Sequence, residues 1–294
     1  MHKLYSNKMM ILAFILPALI LFVLFVPIPV AFLLGTSFLK WDLLSEIRFN
    51  GLGNYIYLFT KDTYFWGAVK NNLFWMVGNI AFSIIPAFVL AIILNSKIKG
   101  RNFFRTVVFL PVALSSTAVA MIWYFVYHHK IGILNQIIRF LGFANFEYAW
   151  LMDERIALLC VLIAVGWQWT GYYMVIFLSG LTVIPGEVIE SAEIDGANRW
   201  QLLKSITIPY LKPMFKITAI LAIVSSFKGF DNVYVLTGGG PNRATYLMAL
   251  HMYDMTFNRA MYGYGSSIAV IITILCVLTT LGISKLFARD SMEV

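Results

Sequence analysis

Long apolar runs alternate with more polar segments along the chain, and six of these runs are about twenty residues or longer. A helix of about 20 apolar residues is long enough to span the hydrocarbon core of a bilayer. Because every backbone amide inside hydrocarbon must be paired within the protein, isolated strands are excluded there. The sequence therefore predicts an all-α, polytopic membrane fold. We expect one domain, residues 1–294, with transmembrane helices at about residues 9–38, 67–94, 104–127, 156–183, 213–236 and 265–287.

Composition agrees with this fold, and the placement of charge predicts its orientation. Hydrophobic residues make up 60% of the chain and charged residues 12%, which excludes an ordinary soluble domain. Lysine and arginine concentrate on the cytoplasmic side of membrane proteins. With both termini inside, twelve of these cations lie on the inner side and nine on the outer side. The inner cations are Lys3, Lys8, Lys97, Lys99, Arg101, Arg105, Arg199, Lys204, Lys212, Lys216, Lys285 and Arg289.

The net charge of +8 favours contact with anionic lipid at the inner leaflet. No basic patch falls in a soluble segment, so the sequence gives no indication of nucleic-acid binding. The first apolar run follows lysines, as in a signal peptide, but it is too long for one and lacks a small-residue cleavage site. We expect it to remain a membrane helix, with a kink or an unwound outer end caused by Pro17, Pro27 and Pro29.

A polar segment at about residues 184–212 separates the fourth and fifth apolar runs and is predicted to face the cytoplasm. Four acids lie between Glu187 and Asp195, in a chain where charge is scarce. Pro185 ends the fourth span, and acids just after it suit the positive end of a new helix. Ala192 and Gly196, four residues apart, predict a notch where another backbone can approach. These features favour a docking surface for a soluble partner; the alternative is a loop helix lying on the bilayer.

Three short motifs in this segment carry a family resemblance: Glu190-Ser191-Ala192, Asp195-Gly196-Ala197 and Ile206-Thr207-Ile208-Pro209. Together they resemble the EAA loop of binding-protein-dependent ABC importer permeases. Ser191 stands where that family usually has alanine, and Ile208 where leucine is common. The resemblance implies the type I permease fold, with this loop acting as a coupling helix that sits in a groove of a separate ATPase subunit. The residues it assigns to ATPase coupling are Glu187, Glu190, Ser191, Ala192, Asp195, Gly196 and Ala197.

A second set of motifs narrows the resemblance. Leu236-Thr237-Gly238-Gly239-Gly240-Pro241 closes the fifth span, and Leu110-Pro111 lies in the third. Both resemble the sugar-class branch, in particular the subunit type of the larger maltose permease and the glycerol-phosphate permeases, over about residues 67–290. The glycine run is not a phosphate loop, because no Gly-Lys-Ser/Thr follows it.

The resemblance implies a set of partners and no cofactor in this chain. ATP and magnesium would be bound by two ABC ATPase subunits. A second related permease would complete the pathway, as a heterodimer rather than a homodimer. An extracellular solute-binding protein would deliver the solute.

Polar residues inside the apolar runs mark candidate solute contacts, because burying them in a membrane is costly. In the fifth run Ser225, Lys228 and Asn232 recur at helical spacing, and Lys228 and Asp231 are predicted to pair; an ion pair that joins two helices is the alternative to solute contact. In the fourth run Gln168, Trp169 and Tyr172 offer hydrogen bonds and aromatic faces for a sugar ring. Ordinary packing is the alternative there and for Ser116 in the third run. The predicted substrate-binding residues are Ser116, Gln168, Trp169, Tyr172, Ser225, Lys228, Asp231 and Asn232, and the resemblance supports Ser116, Gln168, Trp169, Tyr172, Ser225 and Asn232.

Three functional classes follow from these observations. The first is the non-catalytic membrane subunit of an ATP-driven importer for a mono- or oligosaccharide. The second, an ion-coupled secondary transporter, is favoured only by Lys228 and Asp231, and no inverted repeat supports it. The third, a membrane-embedded enzyme, lacks a nucleophile–base pair or paired acids within the spans. His128 and His129 have no further ligands at a spacing that suits a metal site.

Overall fold

The computed structural model describes residues 8–42, 44–96 and 98–289, which are mostly helical. Lys3 and Lys97, predicted to be inner cations, lie outside the described residues. The predicted all-α class is confirmed. In chain order the helices are α1 Lys8–Phe25, α2 Pro27–Ser37, α3 Gly53–Thr60, α4 Thr63–Asn79, α5 Ile85–Asn95, α6 Arg101–Phe109, α7 Ser116–Val126, α8 Ile133–Phe140, α9 Ala157–Leu181, α10 Gly186–Ile194, α11 Arg199–Leu202, α12 Ile208–Tyr210, α13 Lys212–Phe227, α14 Asp231–Thr237, α15 Met248–Tyr253 and α16 Tyr262–Arg289; the two short strands are β1 Leu39–Lys40 and β2 Arg48–Phe49.

Four helical stretches in the described residues are long and apolar enough to cross a membrane: Phe14–Ser37, Thr63–Asn95, Ala157–Leu181 and Tyr262–Phe287. Two further pairs of helices qualify together although each is bent. Arg101–Ala113 and Ser116–Val126 meet at 102°, and Arg199–Tyr210 and Lys212–Phe227 meet at 65°. By length and composition, the described residues therefore contain up to six candidate spans, if each bent pair is counted as one.

The third apolar run is interrupted rather than continuous. After α6 the chain passes through a 3₁₀ turn, Leu110–Ala113, and Leu114 is extended. Pro111 has no N–H to donate to a helix. Helix α7 then begins afresh, because the Ser115 hydroxyl accepts a hydrogen bond from the Ala118 N–H at 3.2 Å and caps it.

The fifth apolar run is also interrupted, between α13 and α14. The Lys228 N–H closes back onto the Ser225 carbonyl at 3.1 Å, which ends α13. The prediction that Ser225, Lys228 and Asn232 share one continuous helical face is therefore wrong. The break is stabilised from α4: the Asn72 side-chain amide donates to the Ser226 carbonyl at 3.0 Å, and its oxygen accepts the Met248 N–H at 2.8 Å. Backbone groups freed at membrane depth need such partners.

The described residues up to Thr63, together with His251–Thr273, form one compact unit. Strands β1 and β2 pair antiparallel, with Leu39 opposite Phe49. The Asn54 side-chain amide ties the end of α2 to β1, since it donates to the carbonyls of Ser37 and Leu39 at 2.8 and 2.9 Å. The first span is helical as far as Ser37, with one residue between α1 and α2 ahead of Pro27.

Tyr64–Leu250, with the described residues from Ile274 onward, form the second unit, organised around the largely buried helix α9. Two glycines let neighbouring backbone approach this helix. A Cβ at Gly166 would meet the Phe82 carbonyl oxygen, and one at Gly171 would meet that of Val108. Small residues commonly permit such close contacts between membrane helices. Toward the other end, the rings of Phe88, Phe177 and Phe215 pack together, with centroids 4.8–5.4 Å apart.

Candidate functional site

A cavity of about 180 Å³ lies in the second unit, at the two interrupted spans. The start of α7 contributes Ser116, and the break before α14 contributes Lys228. Irregular backbone at membrane depth is tolerated where it lines a cavity, and transporters commonly place solute sites at broken helices. The residues around the cavity are Trp75, Asn79, Ser116, Val165, Trp169, Ser225, Lys228, Gly229, Phe230, Asp231, Asn232 and Val233.

The structure brings most of the predicted substrate-binding residues to this cavity and leaves two outside it. Those that line it are Ser116, Trp169, Ser225, Lys228, Asp231 and Asn232. Gln168 is buried and is not part of the cavity lining. Its amide donates to the Leu114 carbonyl at 3.1 Å, and so supplies a hydrogen-bond donor to the backbone at the break in the third run. Tyr172 packs edge-on against Trp169, with ring centroids 5.9 Å apart, and does not line the cavity.

Two cavity residues on α4, Trp75 and Asn79, were not predicted. The Asn79 amide donates to the Ala222 carbonyl and to the Ser225 hydroxyl, both at 3.1 Å, and so positions Ser225. The Asn79 oxygen in turn accepts from the Ser83 hydroxyl at 2.8 Å. A signal for this face was present in the sequence, because Asn72 and Asn79 are seven residues apart in an apolar run and fall on one side of a helix.

The cavity carries both charged and unsatisfied polar groups. Lys228 and Asp231 are exposed. The predicted ion pair between Lys228 and Asp231 does not occur among the ion pairs of the described residues. Asn232 is buried, and its side-chain oxygen accepts no hydrogen bond. Leaving a buried acceptor unpaired costs about 1–3 kcal/mol. Together with the Trp169 indole, these groups suit a ligand that presents several hydroxyl donors and an apolar ring face.

The predicted coupling residues form α10 and the turn that follows it. Glu187, Glu190 and Ser191 are exposed on α10, Ala192 is half-buried, and Asp195 ends the helix.

The turn after α10 explains the glycine in this motif. Gly196 has a φ of +82°, its N–H bonds to the Glu193 carbonyl at 3.1 Å, and the half-buried Ala197 bonds back to Ala192 at 2.9 Å. This is a Schellman ending, which needs a left-handed residue. Gly196 thus lies beyond the helix, not in a notch along it.

The surface around α10 combines acids with exposed apolar side chains. Ile194 is 85% exposed and Trp200, on α11, is 69% exposed. No hydrogen bond or ion pair of the described side chains engages Glu187, Glu190 or Asp195. Helix α11 is held by a capping box between Asn198 and Gln201, with hydrogen bonds of 2.7 and 2.9 Å. A rigid, exposed patch of this kind is typical of a protein-binding site.

A second cavity, of about 200 Å³, lies at the other ends of α7 and α14. The glycine-rich motif contributes Thr237, Gly240 and Pro241 to it, opposite Tyr124 and Tyr127 on the α7 side. The segment Ala149–Met152 forms another wall.

Next to that wall, the Tyr148 hydroxyl donates to the Asp153 carboxylate and holds the pKa of Asp153 below its ordinary value. His128 and His129 also line the cavity, with their rings stacked at 4.8 Å. No cluster of metal-ligating side chains occurs in the part of the chain that the structure describes.

Residues 65–291 match the family of binding-protein-dependent transport system inner membrane components. A probable ABC transporter permease of Pyrococcus horikoshii is 38% identical over 92% of this chain and 93% of its own length. A permease of the multiple sugar-binding transport system of Streptococcus mutans is 34% identical over 92% of each chain. A chain of a bacterial alginate ABC transporter, crystallised with a periplasmic protein that holds an alginate pentasaccharide, shares the fold: the TM-score is 0.85 at 20% identity, over 96% of this chain and 95% of that one.

Proposed function

The chain belongs to the family of binding-protein-dependent transport system inner membrane components, and on that premise we propose that it forms half of the membrane pathway of an ATP-driven sugar importer. Family membership makes it a multi-pass inner-membrane protein and an ABC importer permease rather than an ion-coupled transporter. The finer proposal concerns the solute, which we take to be a mono- or oligosaccharide, and the subunits with which the chain assembles.

The observation that carries the sugar assignment is the cavity at the two broken spans. Trp169 offers an apolar ring face, and Asn232 lines the same cavity with a buried oxygen that lacks a donor. Sugar hydroxyls supply donors, while the C–H faces of pyranose rings pack on indole. Lys228 and Asp231 give both signs of charge at the cavity, which suits a neutral solute better than a phosphorylated one. The Streptococcus mutans relative, from a multiple sugar-binding system, supports the same class.

The proposed assembly contains a second, related permease, two ABC ATPase subunits that bind ATP and magnesium, and an extracellular solute-binding protein. The exposed acids and Ile194 of α10 are the proposed contact with an ATPase subunit, on the cytoplasmic side together with both termini. Closure of the ATPase pair would move α10 and switch the cavity from outward-facing to inward-facing. The alginate transporter, crystallised with its oligosaccharide-bound periplasmic protein, is a precedent for external delivery.

ATP-driven uptake into proteoliposomes that contain the complete transporter and its binding protein tests the proposal. The solutes are the monosaccharides glucose, galactose and xylose and the oligosaccharides maltose, trehalose, lactose and raffinose. We expect uptake of at least one sugar, and a fall of roughly tenfold for Asn232→Leu, because a sugar hydroxyl in the cavity then lacks its acceptor, at a cost of about 1–3 kcal/mol. Asn145→Leu, the same change at an exposed outer residue, should transport normally. Failure to take up any of these sugars would refute the sugar class, and normal uptake by Asn232→Leu would refute the site.

A further inference from the structure

Helix α8, in the segment between the third and fourth spans, exposes an unusually apolar face. Ile133, Ile137 and Phe140 lie within about 60° of one another around the helix, at about 100° per residue. Phe140 is 91% exposed and Ile137 50%. Leu141 and Phe143, directly after the helix, extend the exposed apolar surface. Contact with water is unfavourable for a contiguous surface of this kind, which generally marks an interaction site.

The opposite face of α8 is fixed to the protein by one buried side chain. The Asn135 amide donates to the His129 carbonyl at 2.7 Å and to the Tyr148 carbonyl at 2.9 Å. The Asn135 oxygen accepts the indole N–H of Trp150 at 2.8 Å. Three hydrogen bonds on a fully buried residue hold the helix in one rotation. The apolar face therefore stays turned outward.

The charge of this segment points to the kind of partner. Between Tyr127 and Glu147 the sequence contains no acidic residue, whereas Lys130 and Arg139 lie at the two ends of α8. The Arg139 guanidinium donates to the Lys130 carbonyl at 2.7 Å, which places this cation beside the start of the helix. Cations that flank an apolar helix face complement anionic lipid headgroups.

The helix that precedes α8 also exposes apolar side chains. Helix α7, part of a membrane span, exposes Met121, Ile122 and Phe125 and ends shortly before α8 begins. We infer that α8 lies in the membrane interface on the face opposite α10, with Ile133, Ile137 and Phe140 among the acyl chains and Lys130 and Arg139 at the lipid phosphates. Because Asn135 holds Tyr148 and Trp150, this lipid contact also fixes the Ala149–Met152 wall of the second cavity.

Spin labelling of the full-length chain tests the position of α8. In a Cys160→Ala, Cys276→Ala background, nitroxides are placed at Ile137→Cys, Phe140→Cys and, as the water-facing control, Glu147→Cys. The protein is reconstituted in vesicles of phosphatidylcholine and phosphatidylglycerol. The labels at positions 137 and 140 should collide more often with oxygen than with a water-soluble nickel chelate, at a depth of about 5–10 Å. The label at position 147 should show the reverse preference.

Equal exposure of all three labels to the nickel chelate would overturn the inference. So would shielding of positions 137 and 140 only after the solute-binding protein is added, because the face would then belong to that protein. A second comparison needs no label: uptake by Phe140→Glu should fall several-fold below uptake by Phe140→Lys, since lysine suits an anionic surface and glutamate does not. Equal uptake by the two variants would also count against lipid contact.

Discussion

At the scale of single residues, Asp62 in the first unit is a buried carboxylate that bonds to two other buried side chains. Its carboxylate lies 2.7 Å from His251 Nε2 and also accepts the Tyr264 hydroxyl. All three side chains are buried. A buried charged pair contributes little net stability compared with an apolar pair, but removing one partner leaves the other without compensation. The pair of Arg48 and Glu46, 3.4 Å apart, is exposed to solvent, and removing one partner of such a pair changes stability little.

Asp62→Ala should lower the free energy of unfolding by about 3–5 kcal/mol, because His251 and Tyr264 then lose their shared acceptor inside the protein. Thermal unfolding of the purified protein in detergent measures the change. Glu46→Ala is the matched control, because it removes one carboxylate charge from the surface; it should leave the midpoint of thermal unfolding unchanged. Similar unfolding midpoints for the two variants would show that the hydrogen bonds of Asp62 with His251 and Tyr264 do not stabilise the fold.

At the scale of elements, the main feature is that amide side chains take over the hydrogen bonds of two interrupted helices. Gln168 on α9 satisfies the carbonyl of Leu114 in the third run, and Asn72 on α4 satisfies that of Ser226 in the fifth. Both breaks border the cavity that contains Trp169 and Asn232. The polar groups of these helices therefore serve two purposes, since some bond to backbone at the breaks and others line the cavity.

Asn72→Leu tests this role. The substitution leaves the Met248 N–H without its acceptor, at a cost of about 1–3 kcal/mol, and removes one of the donors to the Ser226 carbonyl. We expect a lower unfolding midpoint and weaker sugar uptake, because the break that positions Lys228 and Asn232 loses its support. Asn145→Leu, at an exposed site, should change neither quantity. An Asn72→Leu protein as stable as wild type would contradict the account of the break.

The sequence predicted the apolar runs and the polar loop, and six of the eight predicted substrate-binding residues line the cavity. It did not predict the breaks themselves. A hydropathy pattern averages over about twenty residues, so a few irregular residues around Leu114 or Gly229 leave it unchanged. Gln168 was predicted to bind solute because it is a polar residue in an apolar span. Sequence alone cannot distinguish a polar side chain that contacts a ligand from one that bonds to a backbone carbonyl at a helix break. Asn79 was not predicted, although its spacing of seven residues from Asn72 places both on one side of a helix.

At the scale of the whole molecule, the proposed function requires the cavity at the broken spans and the exposed surface of α10 to act together. The two are separate in sequence, with α10 leaving the fourth span and the cavity formed by parts of the second, third, fourth and fifth spans. Among the described residues, the carboxylates of the α10 glutamates take part in no hydrogen bond or ion pair, which fits the proposed contact with an ATPase subunit. Under the proposed function, import depends on force that an ATPase subunit applies to α10.

The most direct test of this claim is sugar uptake coupled to ATP hydrolysis by the reconstituted transporter with sugar-loaded binding protein, measured for Glu190→Lys and Glu147→Lys. Both residues are exposed acids, one on α10 and one in the segment between the third and fourth spans. Glu190→Lys should lose roughly tenfold or more of both stimulated hydrolysis and uptake, because a like charge at a docking surface costs several kcal/mol. Glu147→Lys should retain both activities. Full coupling in the Glu190→Lys transporter would contradict the account.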